Sequence, residues 1–253
     1  MPIRAISFDL FDTLVDLLGE TLPREEYEGR SLPRSLIQIH VLISEQAPVS
    51  FDAYLKAMRD VDVQLRESHY ANDREVSSLQ RFEAVLGRLG IGNKALAEEM
   101  VGLHMGALYG QVRTLAHHQE VLSELKKDFR LGVCSNFSHS DTAHRVLADA
   151  GLTDLMDAVL ISDAVGIRKP ASGIFHATLE ALGVEPHELL HVGDRLGADV
   201  AGPASLGIRT AWIVRRVGDA EAALAERPEP APDLQIDDLA ELPALLQRSP
   251  VFS

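Results

Sequence analysis

The sequence of 253 residues contains little cysteine, few aromatic side chains and fewer basic than acidic residues. Its one cysteine, Cys134, excludes a disulfide within the chain and is typical of a reducing compartment. Lys and Arg number 24 against 38 Asp and Glu, so the formal net charge is −14. This balance argues against nucleic acid as a partner, because binding to its phosphates requires clustered basic residues. A small anionic substrate remains compatible, since one basic group in a cleft can outweigh the global field.

Long apolar runs and a signal sequence are also missing. No apolar run approaches the roughly 20 residues that a membrane-spanning helix requires. The N-terminus has no charged start followed by an apolar core and a small-residue cleavage site. We therefore expect a cytoplasmic protein with no membrane partner. The length allows one large core, or a core domain with a smaller second domain.

The hydrophobic pattern differs between two parts of the chain. Residues 3–8 form a short apolar strand of the buried type, and from about residue 115 strand-sized apolar segments alternate with helix-sized ones. Such alternation predicts a parallel sheet with right-handed crossovers. Between these parts the apolar periodicity is helical. The sequence therefore predicts an α/β protein, with a Rossmann-like parallel-sheet core of residues 1–15 and 115–253 and an inserted all-α cap domain of residues 16–114.

Polar side chains follow four of the predicted strands. In chain order they are Asp9 and Thr13, then Ser135 and Asn136, then Lys169, and finally Asp194 and Asp199. A carboxylate at the end of a buried strand is costly unless it is hydrogen-bonded or bound to a metal. In an open parallel sheet this edge is also where ligands bind. Each feature alone is typical of an ordinary turn or helix start, but four of them in order favour a functional site.

These residue types indicate phosphoryl chemistry assisted by a divalent cation. Asp9 and Asp194 supply hard oxygen ligands that suit Mg²⁺, and Asp199 is either a third ligand or a group that holds a metal-bound water. Ser135 and the start of the helix after it offer donors to a phosphoryl oxygen, and Lys169 can neutralise both Asp9 and an anionic substrate. Asp9 can act as a nucleophile that forms an aspartyl-phosphate, which water then hydrolyses.

The ordered motifs resemble those of the haloacid dehalogenase (HAD) superfamily. They are Phe8-Asp9-Leu10-Phe11-Asp12-Thr13-Leu14, Ser135-Asn136, Lys169-Pro170, and Gly193-Asp194 through Asp199. The resemblance covers nearly the whole chain and implies the HAD fold, with the helical insertion as a C1-type cap that closes over the substrate. It implies Asp9 as nucleophile, Asp194 and the Phe11 carbonyl as Mg²⁺ ligands, and Ser135 and Lys169 as groups that bind the substrate anion. The predicted set is Asp9 and Lys169 as catalytic residues, Ser135, Asn136, Thr13 and Phe11 as substrate-binding residues, and Asp9, Phe11, Asp194 and Asp199 as Mg²⁺ ligands.

Phe11 departs from the pattern of the family's phosphatases, which carry a general-acid aspartate two residues after the nucleophile. Asp12 lies one residue too far, at a position that the family often fills with Gly, Asn or Asp. In an extended segment a shift of one residue points a side chain the other way. Asp12 is therefore a poor substitute for the missing acid.

The departure at Phe11 leaves three functions to weigh. Dehalogenases of the superfamily have an aromatic residue at this position and need neither the acid nor a metal, but they generally lack the Gly-Asp pair, which is intact at Gly193-Asp194. We therefore expect a Mg²⁺-dependent phosphatase of a small phosphorylated metabolite. A metal-independent 2-haloacid dehalogenase is the first alternative, and a HAD-fold binding or regulatory protein without turnover is the second. Neither the substrate nor the oligomeric state can be read from the sequence.

Three histidines are not expected to form a functional site. His117 and His118 are adjacent, and since adjacent positions do not share a helix face, we expect a solvated loop rather than a metal-binding pair. His191 lies in the strand before Gly193-Asp194 and is expected to be a packed core histidine.

Overall fold

A computed structural model describes residues 2–227 and 230–248 of the chain. Its described strands are β1 (Ala5–Phe8), β2 (Asp16–Leu17), β3 (Arg24–Tyr27), β4 (Arg30–Pro33), β5 (Val112–Arg113), β6 (Arg130–Ser135), β7 (Ala158–Ile161), β8 (Leu189–Gly193), β9 (Arg209–Ile213) and β10 (Leu234–Ile236). Six of them form one sheet in the order β10-β9-β8-β1-β6-β7. Every neighbouring pair in this sheet is parallel. The predicted α/β fold with a parallel-sheet core is thus confirmed.

Helices fill the connections between these strands. The described α-helices are α1 (Arg34–Ser44), α2 (Phe51–Ser68), α3 (Ser78–Arg88), α4 (Lys94–Tyr109), α5 (Ala116–Leu125), α6 (Ser140–Asp149), α7 (Ser162–Val165), α8 (Ser172–Leu182), α9 (Gly202–Ala204), α10 (Ala220–Glu226) and α11 (Leu242–Arg248). A π-helical turn, Leu196–Ala201, precedes α9. Among the described residues no helix combines the length and the apolar character needed to cross a bilayer.

The first strand lies in the middle of the sheet. All four residues of β1 are buried, and the strand pairs with β6 on one side and with β8 on the other. From β1 the chain builds outward through β6 and β7, and it then returns to the other side of β1 to build β8, β9 and β10. The direction of winding reverses between β1 and β8, and at such a point an open α/β sheet leaves a crevice at the carboxyl ends of its strands.

The layer between β6 and α8 is apolar and contains the lone cysteine. Cys134 is fully buried in a cluster with Ala5, Phe175 and Leu182. Burial raises the pKa of the Cys134 thiol to about 11, so the thiol remains protonated at neutral pH. Cys134 is therefore a packing residue.

The inserted segment is mainly helical, as predicted, but it is not entirely helical. β3 and β4 form an antiparallel hairpin, joined by Glu28 and Gly29 with φ angles of 49° and 72°. Two consecutive positive φ angles are the geometry of a tight hairpin turn. The prediction of an insertion without strands is wrong here, because β3 is largely exposed, β4 is only partly buried, and neither strand carries an apolar alternation.

The chain folds into two compact units. One consists of the residues up to Asp16 together with those from Arg113 onward, and the other of Leu17–Val112. In the second unit α3 and α4 begin with side-chain caps from Ser77 and Asn93. These caps satisfy backbone N–H groups that the first helical turn leaves unpaired.

Candidate active site

Three carboxylates meet at the crevice between the carboxyl ends of β1 and β8. Asp9 follows β1 directly and Asp194 follows β8, while Asp199 lies in the π-helical turn. One oxygen from each of the three side chains lies within 4.8 Å of the others. The parallel register explains the encounter, since Phe8 pairs with Val192 and the two strands therefore end side by side. The structure thus brings together three of the predicted site residues.

The Asp9 carboxylate is buried and held on one oxygen. Its Oδ1 accepts a hydrogen bond of 2.8 Å from the Leu10 backbone N–H and lies 3.2 Å from the Lys169 Nζ. Asp9 is 8% exposed and Lys169 is 3% exposed, so this ion pair is little screened by water. The carboxylate therefore has a defined orientation.

Lys169 also pairs with Asp199, and each stabilises the charged state of the other. The distance between Lys169 Nζ and Asp199 Oδ1 is 2.6 Å. Burial by itself lowers the pKa of Lys169, but the carboxylates of Asp199 and Asp9 outweigh it and hold the pKa above its usual range. Burial by itself raises the pKa of Asp199, and the Lys169 ammonium and the hydrogen-bonded His191 reverse that effect and lower it. Lys169 is accordingly a permanent cation beside Asp9.

Both Asp199 oxygens are engaged by the protein. Besides Lys169, Oδ1 lies 3.2 Å from His191 Nε2, and Oδ2 accepts a 2.9 Å hydrogen bond from the Arg195 backbone N–H. Gly193 leaves the space that this side chain needs, because a Cβ there would lie 2.3 Å from Asp199 Cγ. These contacts favour the indirect role that the sequence left open for Asp199, and its role as a direct Mg²⁺ ligand stays a prediction.

The Asp194 side chain is half-buried, and its carboxyl group has a strongly raised pKa. Burial, together with the charges of Asp9 and Asp199, raises the pKa of Asp194 to about 7. The Trp212 indole N–H donates a 2.8 Å hydrogen bond to the Asp194 carbonyl and fixes the backbone there. A bound cation would remove the repulsion that raises this pKa, and buried carboxylate oxygens are the ligands that Mg²⁺ prefers. The donor set therefore fits Mg²⁺.

The residues after β6 form the next part of the site. Ser135 is the buried last residue of β6. Asn136 donates from Nδ2 to the Lys169 carbonyl at 2.8 Å and accepts at Oδ1 from the Lys169 N–H at 2.7 Å. Asn136 therefore positions Lys169, and the substrate contact predicted for it stays a prediction. Thr13 is fully buried, and within residues 2–227 and 230–248 its Oγ1 has no hydrogen-bond partner, which leaves this hydroxyl available to a ligand.

A family model for haloacid dehalogenase-like hydrolases matches residues 3–207. The chain belongs to this family. The match spans β1 and the carboxylates that follow it, the inserted segment, and the strands up to β8. The chain is therefore a HAD-like hydrolase, and the predicted relationship is confirmed.

Relatives of this HAD-like hydrolase include named phosphatases. The chain is 27% identical to human N-acylneuraminate-9-phosphatase over 97% of its length and 94% of that protein. It is 28% identical to glyceraldehyde 3-phosphate phosphatase of Pyrococcus furiosus over the same shares, 97% and 94%. In both comparisons the similarity extends over nearly the whole of both chains.

Solved structures of HAD enzymes share the fold. A 2-haloacid dehalogenase from Pseudomonas syringae pv. Tomato matches with a TM-score of 0.69 and 23% identity, over 97% of this chain and 99% of that one. A HAD-hydrolase of Bacillus subtilis bound to magnesium matches with a TM-score of 0.60 and 21% identity, also over 97% and 99%. At these identities the likeness concerns the fold.

The position two residues after Asp9 distinguishes this HAD-like hydrolase from phosphatases with a general acid. The Phe11 ring contacts the Phe137 ring, with 4.6 Å between centroids and an interplanar angle of 48°. Asp12 adopts a φ of 59°, which explains why Gly, Asn and Asp suit this position. Its carboxylate pairs with Arg216 at 2.8 Å, so protonation of a leaving group by Asp12 would require this ion pair to break.

One row of hydrogen-bonded side chains behind the site, Ser7, His191 and Asp199, was not predicted from the sequence. His191 is buried in β8, its Nδ1 lies 2.8 Å from Ser7 Oγ in β1, and its Nε2 reaches Asp199. The two strands place Ser7 and His191 directly opposite each other. His191 is thus a core histidine, as expected, but it also orients Asp199. The available signal was a polar residue at the same height in each of two buried strands.

Proposed function

We propose that this HAD-like hydrolase is a Mg²⁺-dependent phosphatase that acts on a small phosphorylated metabolite through Asp9. The observation that carries the proposal is the group of carboxylate oxygens from Asp9, Asp194 and Asp199 within 4.8 Å, with the pKa of Asp194 raised to about 7. Such an excess of buried negative charge favours a cation with hard oxygen ligands. The phosphatase names of the curated relatives support the same reaction class.

The reaction assigns a separate task to each side chain. Asp9 attacks the phosphorus, its bond to phosphorus forms as the bond to the leaving oxygen breaks, and water then hydrolyses the aspartyl-phosphate. Contacts to Leu10 and Lys169 hold Oδ1 of Asp9, so Oδ2 is the attacking oxygen. Lys169 offsets the charge of Asp9 and of the approaching anion, and Ser135 and Thr13 donate to phosphoryl oxygens. Asp9, Asp194 and the Phe11 carbonyl would hold Mg²⁺, which would neutralise the charge of the transferring group.

The aromatic pair of Phe11 and Phe137 limits the substrates that such a site can process. Position 11 is a phenylalanine and carries no carboxylic acid that could protonate the leaving oxygen. Loss of a general acid typically lowers the rate by about 10²- to 10⁴-fold. The penalty is small when the leaving group is already acidic. We therefore propose that acyl, aryl or diphosphate leaving groups react faster than simple alkyl phosphates.

The same aromatic pair favours a second candidate function, 2-haloacid dehalogenation. The Phe11–Phe137 pair offers an apolar surface two residues along the chain from Asp9, and attack on carbon needs no proton for a departing halide. The intact Asp194 beside Asp9 favours the phosphatase, because without a cation the two carboxylates repel each other.

Purified protein separates these functions. We expect release of phosphate from an aryl phosphate in the presence of Mg²⁺, abolition by EDTA, and a loss of at least about 10³-fold in Asp9→Asn. Asp141→Asn, an exposed carboxylate on α6, serves as the matched control and retains full activity. Halide release from 2-chloropropionate in EDTA would identify the dehalogenase instead. Equal background rates for the parent and Asp9→Asn on both substrates would indicate a binding protein without turnover.

A further inference from the structure

A second group of metal-ligand side chains lies outside the carboxylate site. It consists of His117 and His118, in the first turn of α5, and Asp238, which precedes α11. The His117 Nε2 lies 2.9 Å and 3.1 Å from the two Asp238 oxygens, and the His118 Nε2 lies 3.7 Å from Asp238 Oδ2. One ligand atom from each residue lies within 4.8 Å of the others.

The expectation that the two histidines lie in a solvated loop is wrong. Both belong to α5, and His118 is only 1% exposed. Adjacent helical side chains point about 100° apart, but the two rings tilt together, with centroids 4.5 Å apart, and both reach Asp238. Asp238 lies 121 residues after His117, so no local sequence pattern joins the three residues.

The surroundings of His118 favour a cation between its Nε2 and the Asp238 carboxylate. Its Nδ1 lies 2.9 Å from the Leu14 carbonyl, which can only accept, so Nδ1 carries the proton. In the neutral ring Nε2 is then a lone pair, and in the part of the chain that the structure describes it has no hydrogen-bond partner. It faces a carboxylate oxygen, which also has only lone pairs to offer. The His118 nitrogen is buried, and a cation between it and the Asp238 oxygen would stabilise both lone pairs.

The geometry has the features of a site for a transition metal. Two imidazole nitrogens and one carboxylate oxygen are donors that Zn²⁺ accepts, and a metal-bound histidine usually donates its other N–H to a carbonyl, as His118 does. The Asp238 Oδ1 is held by the Ala240 N–H at 2.9 Å. The His117 side chain is 47% exposed, which provides a path for the ion. His117 Nε2 now donates its proton to Asp238, and on metal binding it would release that proton to solvent.

We propose that His117, His118 and Asp238 bind a divalent transition metal of the Zn²⁺ type, at a site separate from the carboxylates around Asp9. The ion would join α5 to the segment before α11, and through the His118 ring it would brace the Leu14 carbonyl in the loop that follows Asp9. Because the ligands converge only in the folded chain, binding stabilises the folded state. This proposal is independent of the reaction catalysed at Asp9.

The test is a titration of metal-free full-length protein with Zn²⁺. All proteins in the titration, including the parent, carry Asp194→Asn and are kept in excess Mg²⁺, which suppresses Zn²⁺ binding at the carboxylate site. His117→Gln then removes a half-exposed ligand without opening the core. We expect one Zn²⁺ ion to bind at least about tenfold more tightly to the parent than to His117→Gln or Asp238→Asn. His144→Gln, an exposed histidine of α6, should bind like the parent.

Two further measurements make the result decisive. Zn²⁺ should raise the melting temperature of the parent and leave that of His117→Gln unchanged, and Co²⁺ should give visible absorption bands only in the parent and in His144→Gln. Equal Zn²⁺ affinity in the parent and in His117→Gln would overturn the proposal. If the parent binds no Zn²⁺ and its melting temperature does not change, the proposal would also be overturned. A proton on His118 Nε2 would then be the positive charge that faces Asp238.

Discussion

Phe11 places an aromatic ring where a proton donor stands in phosphatases of this family. The ring packs on Phe137, which follows Ser135-Asn136, so two segments of the site contribute one apolar surface. Asp12 cannot take over the missing function, since Arg216 holds its carboxylate. The acidity of the leaving group therefore decides how fast the proposed reaction proceeds.

Phe11→Asp tests this view of the position. We expect the substitution to raise kcat for an alkyl phosphate by at least about tenfold, because a supplied general acid contributes about 10²- to 10⁴-fold when well placed. Rates for an aryl phosphate should change much less, since its leaving group needs no proton. Phe11→Leu is the matched control, because it removes the ring contact and adds no acid. A similar change in both variants would show that packing, and not proton transfer, governs the rate.

Within the inserted segment, a half-buried histidine lies between α3 and α4. His104 on α4 packs edge-on against Phe82 of α3, with 5.7 Å between ring centroids, and lines a cavity of about 170 Å³. Burial, assisted by the Arg81 charge, lowers the pKa of His104 to about 4. The unfolded chain binds this proton near pH 6.5, so the folded state loses stability as the pH falls from about 6.5 to about 4.

His104→Leu should therefore reduce the acid sensitivity of the protein. We expect the midpoint of urea unfolding to fall less between pH 7.5 and pH 4.5 in this variant than in the parent. The exposed His144→Leu should keep the parent's full dependence on pH. If the dependence of His104→Leu equals that of the parent, another group controls unfolding in acid.

On the scale of the whole chain, the polypeptide passes between the two compact units twice, after Asp16 and before Arg113. The Arg113 Nε donates a 2.9 Å hydrogen bond to Asp16 Oδ2, and Arg215 lies 2.6 Å from the other oxygen. The chain thus leaves the sheet unit beside the place where it returns. Closely spaced ends are the usual arrangement for a domain inserted into another.

Replacement of residues 17–112 by a short Gly-Ser linker should leave a folded sheet unit. We expect cooperative thermal unfolding and a dispersed amide NMR spectrum, because β1 keeps both neighbouring strands and all six strands of the large sheet lie outside the removed segment. The full chain is the reference. A collapsed spectrum without a cooperative transition would show that the sheet unit depends on the insertion.

Local sequence signals were sufficient for much of the fold. The helix over Ser172–Leu182 lies in the part of the chain where alternating strands and helices were predicted, and Gly183 ends it with a φ of 62° that favours glycine. The β3–β4 hairpin escaped prediction, because its two strands carry no apolar alternation and are held by their backbone pairing and turn. For the site, the positions of Asp9, Lys169 and Asp194 after predicted strands indicated that they lie together, since the carboxyl ends of parallel strands lie at one edge of the sheet.

The sequence by itself thus determined the alternation of strands and helices in the sheet unit, the family, and the carboxylates and lysine at the sheet edge, because these depend on periodicity and on motifs within a few residues. Only the tertiary structure decided what each side chain contacts. It joined Asp199 to His191 and Lys169, turned Phe11 onto Phe137, and brought Asp238 to His117 and His118. The physical reason is that such contacts link residues far apart in the chain, whose distances are set by packing and register and not by local conformational preference.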